Sequence, residues 1–341
     1  MEFRDAVSWI VFGALISIIL LSDLLEWELI PHPGATHLLV AVISIFVIMK
    51  SAGFAIQAIT DYAHHTGISK YLVGFLIVSI GTSIPDLSTA FVASLSGEGG
   101  LILGNVLGAN IMDITLLLGL SAIVARKLAI RGEILHKSLP TVCIMASLPI
   151  LLGLDGMLSR FDGALLLGAF LVYAARLFHK EGTFGHIKKQ VRFKDIWKDM
   201  VVFVGCIVAL LLASKWLVLS SVHLAKSLDV STFLIGLVFV AIATTVPELV
   251  IAIKSAIGHQ SNLTFGDILG AVTINSSFVL GLAAMLNPIS FPTRPFLIAA
   301  MFMVTSVYIG TTYIRKKEIT WHEGIGLLLI YATFLISQTL A

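Results

Sequence analysis

The chain has 341 residues, of which 57% are hydrophobic and 12% charged, with a mean hydropathy of +0.99. Soluble domains carry about 25% charged residues, so the composition excludes a water-soluble globule, and two cysteines exclude a disulfide-stabilised scaffold. The net charge of +2 gives no reason to expect nucleic acid as a partner. We therefore predict an all-α polytopic membrane protein whose partner is the lipid bilayer, with no obligate protein partner.

Apolar runs separated by polar breaks predict eleven membrane spans, because a spanning helix needs about 20 apolar residues. In chain order these spans cover roughly residues 6–28, 37–60, 70–95, 101–125, 138–155, 160–179, 200–227, 231–257, 266–287, 295–314 and 322–339. The first is interpreted as a retained extra helix, because its apolar stretch is long and the residues before it are not clearly basic.

The basic residues predict the orientation of the chain. With eleven spans, 17 of the 22 Lys and Arg residues fall on one face, and only Arg160, Lys226 and Arg294 fall on the other. The positive-inside rule then places the N-terminus and residues 180–199 in the cytoplasm and the C-terminus outside. No organellar signal is present, so the plasma membrane is the default expectation.

The second half of the chain resembles the first. Residues 69–88 (SKYLVGFLIVSIGTSIPDLS) align with 231–250 (STFLIGLVFVAIATTVPELV), and GNVLGANIMD from Gly104 aligns with GDILGAVTIN from Gly266. We call this constant shift, which carries Ser69 onto Ser231, the repeat offset. Each copy contains five spans, so the second enters the membrane from the opposite side, as in the inverted repeats of secondary transporters. The predicted division is an extra N-terminal helix and loop (1–36), a first five-helix repeat (37–179), a basic cytoplasmic linker (180–199) and a second, inverted repeat (200–341).

Three acids, Asp86, Asp113 and Glu248, lie well inside apolar spans. An acidic side chain at that depth costs about 2.5–3.5 kcal/mol or more unless it is paired, solvated or protonated. Since no Lys or Arg lies within one helical turn of any of them, the missing partner is predicted to be a cation or a proton. The alternative is that each acid is protonated and forms hydrogen bonds between helices.

Other oxygen donors accompany these acids. Helical spacing places Thr82 and Ser83 on the same face as Asp86, and the second repeat has the same arrangement around Glu248. Pro85 and Pro247 lack the N–H that would bond to the carbonyl four residues earlier. The predicted ligands are therefore the side chains of Asp86, Glu248, Thr82, Thr244, Ser83, Thr245, Asp113, Asn275 and Asn110, with the freed carbonyls of Gly81 and Ala243. Such an oxygen-only set suits hard cations such as Ca²⁺ and Na⁺.

These motifs resemble the paired alpha-repeats of the sodium/calcium exchanger family, within the calcium:cation antiporter superfamily. The resemblance covers about residues 37–339. It implies a ten-helix core that exchanges Ca²⁺ for Na⁺ and needs no cofactor. It also implies that Asp86, Glu248 and the nearby threonine carbonyls bind Ca²⁺, whereas Ser83 and Thr245 bind sodium. The helices near 37–60 and 200–227 are expected to slide for alternating access.

Two positions depart from the family pattern. Family members usually carry a serine in a Gly-Ser-Asn motif after each acid, whereas this chain has Ala109 and Ala271. Each alanine removes a hydroxyl expected at an outer sodium site, so proton coupling stays open beside sodium coupling. A passive cation channel is a more remote alternative. An enzyme is not expected, because His322-Glu323 lacks the second histidine of a metalloprotease motif.

Overall fold

The structure is a computed structural model that describes residues 34–66, 82–129, 133–181, 193–258, 261–316 and 318–339, most of them α-helical. The predicted first span (6–28) and the start of the third (70–81) lie outside the described residues. The same holds for residues 182–192 of the predicted linker.

The described helices of the first half of the chain include one π-helical turn. They are α1 (Gly34–Thr66), α2 (Ile84–Leu95), α3 (Gly99–Met112), the π turn Asp113–Leu117, α4 (Leu118–Ala125), α5 (Glu133–Leu152) and α6 (Arg160–Glu181). A turn near Asp155-Gly156, where the sequence predicts a break between spans, separates α5 from α6. Gly156 has a φ of +91°, which glycine adopts at no steric cost.

The described part of the second half contains two π-helical turns. Its elements are α7 (Phe193–Leu228), α8 (Thr232–Ile235), the π turn Gly236–Val240, α9 (Ala241–Ile257), α10 (Ser261–Thr273), the π turn Ile274–Val279, α11 (Leu280–Leu286), α12 (Thr293–Arg315) and α13 (Trp321–Thr339). Helix α7 already includes Phe193, rather than starting near residue 200, because no Pro or Gly stops the helix among the residues from Phe193 to Met200 that precede its apolar run.

The distribution of polarity is that of a membrane protein. Large apolar side chains such as Phe161, Met301 and Tyr308 are exposed on the outside, whereas many Ser, Thr, Asn and Asp side chains are buried inside. A surface of this kind suits hydrocarbon rather than water. Four described segments are long and apolar enough to cross a bilayer, namely Gly99–Ala125, Val201–Leu228, Thr264–Leu286 and Thr293–Arg315. The count of eleven spans stays a prediction.

Two short strand pairs join distant parts of the chain. Strand β1 (Lys127–Ala129) pairs antiparallel with β4 (Glu318–Thr320), and β2 (Met157–Leu158) pairs antiparallel with β3 (Ile289–Ser290). The first pair follows the end of α4. The second pair lies beside Gly99, at the start of α3, so the two pairs stand at opposite ends of the bundle.

The registers of the two strand pairs are equivalent. Lys127 lies opposite Thr320 in the first pair, and Ile289 lies opposite Leu158 in the second. The repeat offset carries Lys127 onto Ile289 and Leu158 onto Thr320. Each strand pair is therefore the counterpart of the other, with one strand from each half of the chain.

Helices α1 and α7 form a long antiparallel pair. The rings of His37, near the start of α1, and His223, near the end of α7, are stacked with centroids 4.2 Å apart. The helices contain 33 and 36 residues, so each is about 50 Å long, which exceeds the roughly 30 Å of the hydrocarbon core. We expect both to tilt or to project from the membrane.

The two proline-containing helices differ in their continuity. Helix α2 begins at Ile84 with Pro85 in its first turn, so Thr82 and Ser83 lie at a break rather than in one uninterrupted helix with Asp86. Proline is most readily accommodated in this first turn. The backbone of Ser83 remains in the right-handed helical region (φ −80°, ψ 0°), so the expected i, i+4 placement of Thr82 and Asp86 stays a prediction. Helix α9, in contrast, continues through Pro247 and contains Thr244, Thr245 and Glu248.

Glycines allow α3 to approach the helices of the second half closely. A Cβ atom added to Gly104 would overlap the carbonyl of Phe233, and one added to Gly108 would overlap the carbonyl of Leu237. Small residues at helix contacts permit such close backbone packing in membranes. This packing brings the polar side chains of α3 and α9 together in the interior.

Candidate functional site

A polar cluster lies in the buried interior, where α2 and α3 of the first half meet α9 and α10 of the second. Its carboxyl and amide groups are those of Asp86, Asn105, Asn110, Asp113, Glu248, Asp267 and Asn275, and none is more than 2% exposed. Burying so many polar groups at membrane depth is costly unless they are bonded or bind a ligand.

π-helical turns place two of these side chains at equivalent positions. Asp113 begins the π turn after α3, and Asn275, its counterpart at the repeat offset, is the second residue of the π turn after α10. The hydroxyls of Thr115 and Ser277, which are also counterparts, each donate to the carbonyl four residues earlier. π turns of this kind occur frequently at functional sites.

Both oxygens of the Asp86 carboxylate are held by amide groups. Asn105 Nδ2 donates to Oδ1 at 2.9 Å, and Asn275 Nδ2 donates to Oδ2 at 3.1 Å. Asn275 belongs to the second half of the chain, so Asp86 is bonded by both halves. These bonds fix the orientation of the carboxylate without neutralising its charge.

Threonine hydroxyls form two further bonds between the halves. Thr82 Oγ1 donates to Asp267 Oδ1 at 3.1 Å, and Thr244 Oγ1 lies 3.2 Å from Asn105 Oδ1 and 3.1 Å from its own helix carbonyl at Val240. The repeat offset carries Thr82 onto Thr244 and Asn105 onto Asp267. Each bond is therefore the counterpart of the other.

Several buried oxygen atoms have no hydrogen-bond partner in the part of the chain that the structure describes. They are Ser83 Oγ, Thr245 Oγ1, Asn110 Oδ1, Asp113 Oδ1, Asn275 Oδ1, Glu248 Oε2 and Asp267 Oδ2. Carboxylate and amide oxygens can only accept, so a cation or a protonated group would satisfy them. Hard cations take such oxygens as ligands.

The cluster has an excess of negative groups. Glu248 experiences Coulombic repulsion from Asp86, Asp113 and Asp267, and Asp113 experiences it from Asp86 and Asp267. Two ion pairs between described residues lie on the exterior, namely Lys127–Glu318 and Lys316–Glu323. Neither of these ion pairs involves an acid of the cluster, whose carboxylates are those of Asp86, Asp113, Glu248 and Asp267.

The structure brings most of the predicted ligands into this region. Asn110 is bonded to Ser276, its Nδ2 donating to the hydroxyl at 2.9 Å. Ala243 is 3% exposed within α9, while Gly81 lies outside the described residues. Among the described residues, no three His, Cys, Asp or Glu side chains form a compact metal-binding group. The cluster consists instead of carboxylates interleaved with amides and hydroxyls.

Three participants were missed by sequence reasoning: Asn105, Asp267 and Ser276. Asn105 and Asp267 follow the glycines that open the aligned blocks, so their shared position and polarity were an available signal. Ser276 gave no such signal, because its counterpart in the first repeat is Ile114.

A family model described as sodium/calcium exchanger protein matches residues 36–178 and 198–340, two segments that are themselves separated by the repeat offset. The inner membrane protein YrbG of Escherichia coli (strain K12) is 32% identical over 266 residues, covering 74% of this chain and 80% of that protein. The sodium/calcium exchanger MaX1 of Methanosarcina acetivorans is 24% identical over 347 residues, covering 88% and 97%.

Two solved structures have similar folds. The H⁺/Ca²⁺ exchanger CAX has a TM-score of 0.76 at 14% identity, with 99% of this chain and 93% of that chain covered. The sodium-calcium exchanger NCX_Mj has a TM-score of 0.62 at 23% identity, with 89% and 98% covered. The family match spans most of the sequence, and the chain belongs to the sodium/calcium exchanger family.

Proposed function

We propose that the protein is a secondary active antiporter that exports Ca²⁺, or a similar divalent cation, in exchange for Na⁺. The observation that carries the proposal is the set of four buried carboxylates, Asp86, Asp113, Glu248 and Asp267, which form no described ion pair with a basic side chain. All but Asp86 have one acceptor oxygen without a hydrogen-bond partner in the described chain. Relatives named as sodium/calcium exchangers support the same substrates.

The architecture we propose is a pair of inverted five-helix repeats with the site where they meet. Several features related by the repeat offset support it: the strand pairs, the π turns at Asp113 and Asn275, and the threonine bonds to Asn105 and Asp267. An extra helix before the first repeat is part of this proposal.

The proposed Ca²⁺ ligands are the carboxylates of Asp86 and Glu248 with the backbone carbonyls near Thr82 and Thr244. The unpartnered hydroxyls of Ser83 and Thr245 suit Na⁺, and Asp113, Asn275 and Asn110 complete the polar lining. The carbonyls of Gly81 and Ala243 belong to the same set, since the prolines that follow cannot donate to them.

Alternating access would come from movement of α1 and α7 against the rest of the bundle. These two helices pack against each other along their length, and α7 also contacts α2, which holds Asp86. Movement of this pair would open the site to one side of the membrane at a time.

We place the protein in the cell membrane, with the N-terminus and the 180–199 segment in the cytoplasm and the C-terminus outside. A relative named as an inner membrane protein supports this location.

Proton coupling is the second candidate function, and a specific observation favours it. Ala109 and Ala271 are buried to 1% and 0% exposure, at positions where the family resemblance implies serine hydroxyls for sodium. Without those hydroxyls the carboxylates would carry protons on the return step.

A transport assay distinguishes sodium coupling from proton coupling. It measures Ca²⁺ uptake into proteoliposomes under an imposed Na⁺ gradient and, separately, under a pH gradient of equal magnitude. The proposal expects uptake driven by Na⁺ and abolished when Na⁺ is replaced by choline. Uptake driven by the pH gradient alone would reject sodium coupling, and no uptake under either gradient would reject Ca²⁺ antiport.

A further inference from the structure

A groove opens on the outer surface of the bundle between α12 and α13, and its volume is about 280 Å³. Its lining consists of four apolar side chains and two threonines, namely Met301, Phe302, Thr305, Leu329, Ile330 and Thr333. Met301 and Leu329 are 71% and 63% exposed, so the groove faces away from the buried polar cluster. Helix α12 is one of the described segments that are long and apolar enough to cross a bilayer, and the groove therefore lies at membrane depth.

An accessible track leads from this groove to one end of the bundle. On α12 it continues through the exposed residues Tyr308, Thr312 and Lys316, at the spacing of three or four residues that keeps side chains on one helical face. On α13 it continues through the half-buried Gly326 to the exposed His322 at the same spacing. The two helices are neighbours joined through β4, so both sides of the track reach the same end of the bundle.

The described residues at this end carry an excess of positive charge. Four basic side chains and two acids lie in the segments that flank and form the β1–β4 strand pair, namely Arg126, Lys127, Arg315 and Lys316 with Glu318 and Glu323. Each acid pairs with one lysine, so two positive charges remain in excess. Arg315 is exposed, and the side chain of Lys316 stays 55% exposed despite its contact with Glu323. Both can therefore contact an anion at the end of the track.

Aromatic residues indicate that this end lies at the level of the lipid head groups. Trp321 is 43% exposed and stacks on His322 with ring centroids 3.7 Å apart, and the Lys316 ammonium lies 5.0 Å from the centre of the Tyr313 ring. Trp and Tyr are enriched at membrane–water interfaces, where one side of the ring is apolar and the other is hydrated.

The distance from this end to the groove matches the length of one leaflet. Thr305, in the groove, precedes Lys316 by eleven residues, which corresponds to about 16 Å along the helix. Half of the hydrocarbon core is about 15 Å thick. A phospholipid whose head group lies beside Lys316 would therefore reach the groove with an acyl chain.

We propose that the groove, the track and Arg315 with Lys316 form a binding site for one anionic phospholipid of the bilayer. An acyl chain lies in the groove, and the phosphate accepts charge-assisted hydrogen bonds from the two basic side chains. A zwitterionic phospholipid offers the same chains without net charge, so the positive excess favours the anionic class. The proposed orientation places this end in the cytoplasm, where the membrane surface is negatively charged. The inference does not depend on which ions the protein transports.

The test is native mass spectrometry of the purified full chain with equal concentrations of dioleoyl phosphatidylglycerol and dioleoyl phosphatidylcholine, which share their chains and differ in net charge. We expect one retained phosphatidylglycerol per chain. Each basic residue near an anionic lipid favours binding about fivefold, so R315Q/K316Q should lower the ratio of bound phosphatidylglycerol to phosphatidylcholine at least about fivefold. R294Q is the matched control, because it removes an exposed arginine at the other end of α12 and should leave the ratio unchanged.

T333F tests the groove independently of the charges. A phenyl ring at this position would occupy the groove, so we expect both lipids to bind several-fold more weakly with their ratio unchanged. A332F is its control, because Ala332 is the exposed neighbour of Thr333 and is not part of the lining.

Four results would overturn the inference. They are no preference of the wild type for phosphatidylglycerol, an unchanged ratio in a folded R315Q/K316Q, undiminished binding by T333F, and a loss in R294Q as large as that in R315Q/K316Q. None of these measurements involves Ca²⁺ transport, so a negative result would reject this lipid site and leave the proposed function standing.

Discussion

Asp86 and Glu248 occupy equivalent positions in the two repeats, yet their surroundings differ. Both oxygens of Asp86 accept amide hydrogen bonds, whereas Glu248 Oε2 accepts none. Glu248 is also one methylene longer, so it extends further from its helix. Under the proposed function, a cation would meet one acid that is already oriented and one whose Oε2 has no hydrogen-bond partner in the described chain.

This difference makes Glu248 the sharpest single test of the site. Glu248→Gln keeps the size of the side chain and removes its charge, so we expect Ca²⁺ transport to fall at least about tenfold, equivalent to about 1.4 kcal/mol. Initial rates of ⁴⁵Ca²⁺ uptake measure this loss. Glu318→Gln is the control, because it makes the same chemical change in an exposed ion pair with Lys127. Exposed ion pairs of this kind contribute little to stability. Near-normal transport by the Glu248 variant would contradict the assignment.

Ala109 and Ala271 provide a second test at this scale. If missing hydroxyls weaken sodium coupling, the double variant A109S/A271S should increase the Na⁺ dependence of Ca²⁺ uptake. The Na⁺ concentration that gives half-maximal uptake should fall several-fold relative to the wild type. An unchanged value would indicate that these positions do not contribute to sodium binding.

The three acids inside the spans could be predicted because charge in an apolar run is conspicuous. Asp267 and Asn105 were harder to identify. Helix α3 is buried on every side from Leu101 to Met112, so no amphipathic pattern indicates which residues face the site. Their threonine partners are also in the opposite repeat, and spacing within one repeat does not reveal contacts across the interface.

At the scale of elements, the closeness of α3 to the second repeat depends on glycine. Gly104→Ala would force a methyl group into the carbonyl of Phe233, so we expect a loss of about 1–3 kcal/mol in stability. Gly168→Ala is the matched control, because nothing lies within 4 Å of an added Cβ there and alanine favours the helix by up to about 1 kcal/mol. Thermal unfolding in detergent measures both. A Gly104→Ala variant that melts at the same temperature as the wild type would show that α3 can move away from the second repeat at no cost in stability.

The movement proposed for α7 can be blocked by a cross-link. Ser88 on α2 and Ser214 on α7 are buried with their hydroxyl oxygens 2.8 Å apart, so cysteines at these two positions would bring their sulfur atoms into contact. Oxidised S88C/S214C is expected to lose transport and regain it on reduction.

Each single cysteine variant serves as a control for the substitution itself. The native Cys143 and Cys206 are free thiols and would be replaced beforehand. Full transport by the fully cross-linked protein would exclude sliding of α7 past α2.

Helix positions were largely predictable from apolar runs, and the turn near Asp155-Gly156 was confirmed. The π turns and the break before α2 were not predicted. These features depend on how each helix packs against its neighbours. An apolar run does not itself indicate where the backbone hydrogen bonds depart from the α-helical pattern. The extension of α7 back to Phe193 was missed because hydropathy identifies the membrane segment and does not show where the helix begins.

For the whole molecule, the proposed activity is exchange of Ca²⁺ for another cation at one buried site. A passive channel with the same acids would let Ca²⁺ equilibrate, whereas an antiporter accumulates it at the expense of the other gradient. The internal repeats were predicted from the alignment of the chain with itself, and the two family matches share the repeat offset. The contacts between the repeats became apparent only from the structure.

The most direct measurement is ⁴⁵Ca²⁺ accumulation by proteoliposomes loaded with Na⁺ and diluted into Na⁺-free medium. Antiport should raise internal Ca²⁺ above the external concentration, and an ionophore that collapses the Na⁺ gradient should release the accumulated Ca²⁺. Glu248→Gln vesicles should accumulate none. Internal Ca²⁺ that only reaches the external concentration, or that rises equally in Glu248→Gln vesicles, would contradict the account.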